Sequence, residues 1–308
     1  MNSKEIQRRI KGVKNTKQIT KAMEMVAASK MRKATERVLA TRSYARLAWE
    51  MLNNLSGRVN PELHPLFQER EIKKIAVILI TSDRGLCGAM NTQVIQKAIK
   101  TIEKQEKSKV EFISVGKKGR DFIKKYYKIF AEFIGLENVS KIAEIAPIVK
   151  IAIEDYEKGL YDKVILIYTD FISTLKQEPI ARQLLPLKKE EFKKILDEID
   201  HLEQVQQSIS KSQEAENKNL KIKFEYKFEP NSDEVLKELL PRLLEIQIYQ
   251  ALLESNASEH CARMVAMKNA TDAAKDLIDN LTMTFNQVRQ ASITQEIAEI
   301  STGAAFSL

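Results

Sequence analysis

Two heptad stripes, one at each end of the chain, constrain the fold more than any other feature. Between Gly12 and Gly57 there is no proline or glycine, and small or apolar residues recur at Ala27, Met31, Ala34, Val38, Ala45, Ala48, Leu52 and Leu55. At the other end the stripe runs Leu243, Ile246, Gln250, Leu253, Ala257, His260, Met264, Met267, Thr271, Ala274, Ile278, Leu281, Phe285 and Val288. Its steps alternate three and four without a break, the period of a left-handed coiled-coil seam. A long helix with one apolar stripe draws its stability from packing that stripe. The two ends must therefore pair with each other or with partners.

The punctuation gives the helix ends. The first helix is expected from Ser3 or Lys4, with Ser3 as N-cap, to about Leu55, where Ser56-Gly57 and then Pro61 and Pro65 stop it. The second begins near Ser232, carries Pro241 in its first turns, and is unbroken from Arg242 to Thr302. The division expected is a coiled-coil helix over 1–57, an α/β domain over 72–230 with a charged insertion at 188–218, and a second coiled-coil helix over 232–308.

Between the stripes the pattern changes. Lys74–Thr81 is a continuous apolar run, as in a strand buried on both faces. Val110–Val115, Ile129–Ile134 and Lys163–Thr169 read as further strands, and Ile180–Leu185 and Leu220–Phe228 as edge strands. Amphipathic stretches at Asn91–Lys104, Gly119–Tyr127 and Ser140–Lys158 separate the first four. That alternation predicts an open, Rossmann-like, mostly parallel sheet with helices on its faces. The fold class is thus α/β, with a long antiparallel coiled coil of the two terminal helices. Lys188–Lys218 lacks strand character; Ile195, Ile199, Leu202, Val205 and Ile209 give it the spacing of a helical arm, and its polarity suits disorder nearly as well.

Bulk properties exclude several classes. Nine glycines in 308 residues favour long helices over a turn-rich β protein. No apolar run approaches the ~20 residues of a membrane span. Cys87 and Cys261 stand in unrelated contexts, which suits two reduced thiols in a cytosol-like compartment. Of the net charge of +8, residues 1–46 hold thirteen Lys/Arg against Glu5, Glu24 and Glu36, a local excess of ten. A nucleic-acid arm would interleave aromatic stacking groups, and the first 43 residues contain none. A basic helical face that meets an acidic protein partner fits better.

Catalytic patterns are missing. No G-x-G-x-x-G follows the first strand, and there is no Walker P-loop. Gly116-Lys117-Lys118-Gly119 reads as a short basic turn. The loop Thr81-Ser82-Asp83-Arg84-Gly85-Leu86-Cys87-Gly88 sits where α/β proteins place ligands, between a strong strand and a helix. Neither His64 nor His201 forms a motif with Cys87, so the loop reads as a docking surface and not as a nucleophile site. His260 falls on the seam as an interface residue. No spacing assembles an acid–base pair, triad, metal site or cofactor site.

Four motifs in order carry a family resemblance over nearly the whole chain. Ile19–Arg32 (ITKAMEMVAASKMR), Thr81–Gly88, Arg263–Thr271 (RMVAMKNAT) and Arg289–Ile297 (RQASITQEI) resemble the gamma subunit of F-type ATP synthases. The resemblance implies a central rotor shaft without an active site or cofactor of its own, coupling proton flow to ATP synthesis. Its partners are the alternating alpha and beta subunits of the catalytic head, epsilon and the membrane c-ring. It also implies a peripheral place on the cytoplasmic face of the bacterial inner membrane, reached only through the complex.

Residue by residue, the resemblance puts Met23, Lys21, Lys30, Arg32 and Lys33 against acidic lever elements of beta. Arg263, Arg289, Gln290 and Thr294 become polar contacts with the head, and Tyr226, Phe228 and Glu229, with Arg84 and Cys87, contacts with the c-ring and epsilon. After Val288 the stripe breaks at Ser292, Gln295 and Glu299, so the second helix should outrun the first and seat alone in an apolar bearing. The 188–218 stretch lies where photosynthetic members carry a redox-sensing insertion, and it holds no cysteine. The alternative reading is a coiled-coil adaptor whose α/β domain binds a ligand through Ser82–Gly88.

Overall fold

In a computed structural model, residues 3–56, 64–103, 105, 109–139, 141–188 and 232–306 are described. The chain divides into two compact units, Met1–Ser29 with His260–Leu308, and Lys30–Glu259. Helix α1 spans Ser3–Ser56, starting at the expected Ser3 and stopping one residue beyond the expected Leu55. The C-terminal helix spans Ser232–Phe306 with Pro241 inside it; counted with the helices below it is α5.

The first unit is the coiled coil. Thr271 of α5 donates to Thr20 of α1 at 2.8 Å. Facing positions in an antiparallel pair keep a constant sum of residue numbers, here 291. That register sets Ile6 opposite Phe285, Ile10 opposite Leu281, Val13 opposite Ile278 and Lys17 opposite Ala274, and all eight are buried or half-buried. Ser3, where α1 begins, falls opposite Val288. Residues 289–302 are exposed without exception. The helix outruns its partner at the residue where the sequence stripe breaks.

In the second unit a five-stranded sheet has the order β3-β2-β1-β4-β5. Strand β1 (Lys74–Ile80) pairs in parallel with β2 (Lys109–Val115) and β4 (Lys163–Phe171). Strand β3 (Lys128–Phe133) extends the parallel set beyond β2, and β5 (Gln177–Leu185) closes the other edge antiparallel to β4. Four strands in parallel require crossovers, and the apolar face of each crossover helix supplies the core. Ile75, Val77 and Leu79 of β1 pack with Ile165 and Ile167 of β4 against Val94, Ile95, Ala98 and Ile102 of α2 (Met90–Glu103). Because successive side chains alternate faces, Val164, Leu166 and Tyr168 of β4 point the other way, where Tyr168 bonds Glu254 of α5. Burial and the Glu254 charge push the Tyr168 hydroxyl well above its ordinary pKa.

Two helices differ from expectation. The supposed basic turn at Gly116–Gly119 is the start of α3 (Lys117–Ile123), which ends four residues before the expected Tyr127. Its first turn is capped from another segment: Lys117 N donates to Asp83 Oδ1 at 3.0 Å and Gly119 N to Thr81 Oγ1 at 2.9 Å. No local sequence window contains that cap. Gly116 is required there, since its φ is +96° and a Cβ would lie 2.1 Å from the Thr81 carbonyl oxygen. The Ser140–Lys158 stretch begins as a 3-10 turn, Ile142–Ile145, before α4 (Ala146–Glu157), whose first turn holds Pro147 where its missing N–H is harmless. The expected strand Leu220–Phe228 and the insertion beyond Lys188 lie outside the described residues.

Candidate rotor surfaces and the strand-end loop

The coiled coil presents two kinds of surface. One is the tip of α5, where Arg289, Gln290 and Thr294 are exposed together with Ile293, Ile297 and Ile300. Among the described residues of α1 none lies opposite them, since Ser3 already faces Val288. The other is a set of positions along helix α1, those up to Ser29 in the first unit and those from Lys30 in the second. Lys21 is exposed and paired with Glu24 at 3.0 Å, Met23 is half-buried, Lys30 is half-buried, and Arg32 and Lys33 are exposed. The structure adds Ile19, Met25 and Val26, each more than half exposed on the same helix. These three apolar side chains lie within eight residues of one another and are left uncovered by α5. The sequence signal was present: all three lie off the 3-4 seam while being apolar.

Arg263 does not sit on such a surface. It is buried on α5, with Nη1 3.4 Å from Nδ1 of His260, which is itself buried on the seam as expected. Arg263, expected as a polar contact with the head, is thus buried within this chain beside His260. Burial also pushes the Cys261 thiol up.

The strand-end loop is an internal device more than a docking surface. Ser82 N donates to Asn91 Oδ1, while Asn91 Nδ2 donates to Ser82 Oγ at 2.7 Å and to Cys87 Sγ at 3.1 Å. Cys87 is 2% exposed, so its assignment to a contact with epsilon or the c-ring fails on burial. Arg84 does face outward, 72% exposed, in an ion pair with Glu137 at 3.2 Å. Leu86, with φ +66°, is exposed beside it. Thr81, Asp83, Glu137, Asn256 and Glu259 line a cleft of ≈ 210 Å³ at the C-terminal end of β1 and β2. Its enclosed space is only ≈ 10 Å³, room for about one water and far below the ~300–1,000 Å³ of ordinary ligand sites, so it is no built ligand pocket. Among the described residues no group of three His, Cys, Asp or Glu is placed to hold a metal, and no helix is long and apolar enough to cross a membrane. Tyr226, Phe228, Glu229 and His201 lie outside the described residues.

A paired helical seam, an exposed helix end and a sheet domain with an internally satisfied strand-end loop define a subunit built on a two-helix coiled coil. The ATP synthase family model matches residues 2–306. The chain is 42% identical over 314 residues to the ATP synthase gamma chain of Herpetosiphon aurantiacus, and 43% over 303 residues to that of Pelotomaculum thermopropionicum, with 98% of each chain covered in both pairs. This chain belongs to the ATP synthase gamma-subunit family, a non-catalytic subunit of that enzyme. Among solved structures, the Euglena gracilis mitochondrial ATP synthase rotor is similar with a TM-score of 0.60 at 19% identity, covering 94% of this chain and 98% of that one. The central stalk and c-ring of the Tetrahymena thermophila mitochondrial ATP synthase gives 0.56 at 24% identity, covering 82% and 99%. These two likenesses carry the fold.

Proposed function

We propose that this chain is the central rotor shaft of an F-type ATP synthase, turning inside a head of alternating alpha and beta subunits above a c-ring, with epsilon beside it. The observation that carries this reading is the stretch 289–302, a helix end exposed on every side with three isoleucines and, among the described residues, no partner helix. Such an end is stable as a helix only when something encloses it. The gamma-chain relatives and the neighbours described as rotor and central stalk support the same conclusion.

In this reading the division into two shaft helices, 1–57 and 232–308, and a foot, 72–230, is a division of labour. Lys21, Met23, Lys30, Arg32 and Lys33, now joined by Ile19, Met25 and Val26, press on acidic levers of beta. Arg289, Gln290 and Thr294 sense the head from the lone tip. Tyr226, Phe228 and Glu229 keep the c-ring role that the family resemblance gives them, and Arg84 the role of an exposed contact with epsilon or the c-ring. The 188–218 insertion, in this reading, serves contact with epsilon or the stator-facing surface. The chain supplies no catalytic residue and no cofactor; it couples proton passage at the cytoplasmic face of a bacterial inner membrane to ATP synthesis in the head.

Co-expression with alpha and beta subunits tests this. The expected result is one stoichiometric complex that hydrolyses ATP. A chain that elutes alone while alpha and beta assemble without it would return the adaptor reading.

A further inference from the structure

The five residues Gly135–Val139, between β3 and α4, are gripped by three separate segments. From the strand-end loop, Asp83 Oδ2 accepts from Gly135 N at 2.8 Å, and Arg84 reaches Glu137, whose side chain is only 12% exposed. From α5, Asn256 Nδ2 donates to the Leu136 carbonyl at 3.0 Å. From α1, an Arg37 guanidinium N–H donates to the Val139 carbonyl at 3.3 Å, and Val139 itself is buried. The same carboxylate of Asp83 holds the first amide of α3, so the grip reaches the sheet as well. A further bond, Ser258 Oγ to the Thr169 carbonyl at 3.4 Å, fastens α5 to the end of β4 two residues beyond Asn256.

A loop that joins a strand to the next helix needs none of this. Surface loops ordinarily leave their carbonyls to water. Here two carbonyls three residues apart are each taken by a different long helix, and the Gly135 amide and Glu137 side chain are taken by a third segment. Helices α1 and α5 have no reason to meet one loop of the sheet domain unless the loop sets their position relative to it. Among the described residues this loop is the one place where a single short segment is held by both long helices at once, whereas Tyr168–Glu254 and Ser258–Thr169 tie the sheet to α5 alone.

We propose that Gly135–Val139 is the torque-bearing joint between the sheet domain and the two shaft helices, with Arg37 and Asn256 as its positioning residues. This rests on the rotor reading above, which it extends by naming where the shaft is clamped. It also accounts for the Thr81–Gly88 motif, because Asp83 and Arg84 shape the joint from the sheet side.

The test uses the complete enzyme in sealed vesicles and, separately, the immobilised head carrying the full chain. Asn256→Ala and Arg37→Ala are made singly and together, with Arg37→Lys as the conservative variant. Three readouts are taken: ATP hydrolysis, protons pumped per ATP, and torsional stiffness from the thermal angular fluctuation of a probe on the sheet domain. The double variant should hydrolyse ATP as the unsubstituted enzyme does, with stiffness reduced several-fold and fewer protons pumped per ATP. Arg37→Lys, in place of Arg37→Ala, should restore most of both. Unchanged stiffness in the double variant overturns the joint. If the double variant does not assemble, Glu137→Gln, which removes only the ion pair with exposed Arg84, carries the same stiffness measurement: a loss supports the joint and no change overturns it. An unsubstituted chain that never enters the head contradicts the rotor reading itself, whereas a rotating one with stiffness indifferent to these changes contradicts only the joint.

Discussion

Thr271 of α5 and Thr20 of α1 share a hydrogen bond across the coiled-coil seam, 2.8 Å between hydroxyl oxygens, and the Thr20 hydroxyl in turn donates to the Lys17 carbonyl at 3.1 Å. A polar pair inside an apolar seam has one favourable alignment, so it fixes register at some cost in stability. The register it sets places the start of α1 opposite Val288 and thereby decides how much of α5 stands alone.

Thr271→Val keeps the shape and removes the donor. The expected loss is about 0.5–1.5 kcal/mol in denaturant unfolding of the full chain. Thr271→Ser should recover most of it. A valine variant as stable as the original would show that the pair contributes shape alone.

Two glycines with positive φ separate crowding from backbone strain. Gly116→Ala must place a Cβ 2.1 Å from a backbone carbonyl, and should cost more than about 3 kcal/mol or abolish folding. Gly88→Ala, at φ +59° with open space around it, carries only the left-handed penalty of about 1–2 kcal/mol. Thermal melts of the two variants should therefore differ widely, and equal melts would contradict the packing of Thr81 against Gly116.

His64 gives a pH dependence with a definite sign. Its Nδ1 accepts from Leu66 N at 3.3 Å, capping the short 3-10 turn Pro65–Phe67. Burial and then the nearby Lys237 hold its pKa below the ordinary 6.5. The unfolded chain takes up the proton first as pH falls, so this contribution is intact above pH 6.5 and is lost as pH drops through the lowered folded value. Ring-proton chemical shifts across a titration would report it. A midpoint at or above 6.5 would mean that His64 is not buried near Lys237 as described.

Met23→Lys adds a charge to the stretch of α1 assigned to the beta levers. The variant should assemble normally yet pump fewer protons per ATP hydrolysed, because a new ion pair resists each step. An unchanged ratio would remove Met23 from the lever contact and leave Ile19, Met25 and Val26 as the candidates.

Much of this was legible because it rests on period. Every seam position from Leu243 to Val288 is buried or half-buried, and the break after Val288 marks the unpaired tip. The N-terminal half of the seam was not legible: Ile6, Ile10, Val13, Lys17 and Thr20 hold the 3-4 spacing, but Gly12 interrupts it and two of its positions are polar. The start of α3 was missed because Thr81 and Asp83 cap it from more than thirty residues away. The burial of Arg263 and Cys87 was missed because it follows tertiary contacts and not local polarity. On α5, residues 251–261 are all buried, polar ones included, and stripe logic assigns such residues to solvent. Side chains such as Asn256 and Ser258 are held there by carbonyls of Leu136 and Thr169, distant in sequence.

Rotation is the central claim and can be watched directly. The full chain, carrying a probe on an exposed residue just past α3 such as Lys125, is assembled with alpha and beta subunits fixed to a surface and supplied with ATP. The account predicts unidirectional, ATP-dependent rotation of the probe, in steps of one third of a turn for a head with three catalytic beta subunits. A complex that assembles and hydrolyses ATP while the probe only fluctuates about one angle would contradict it.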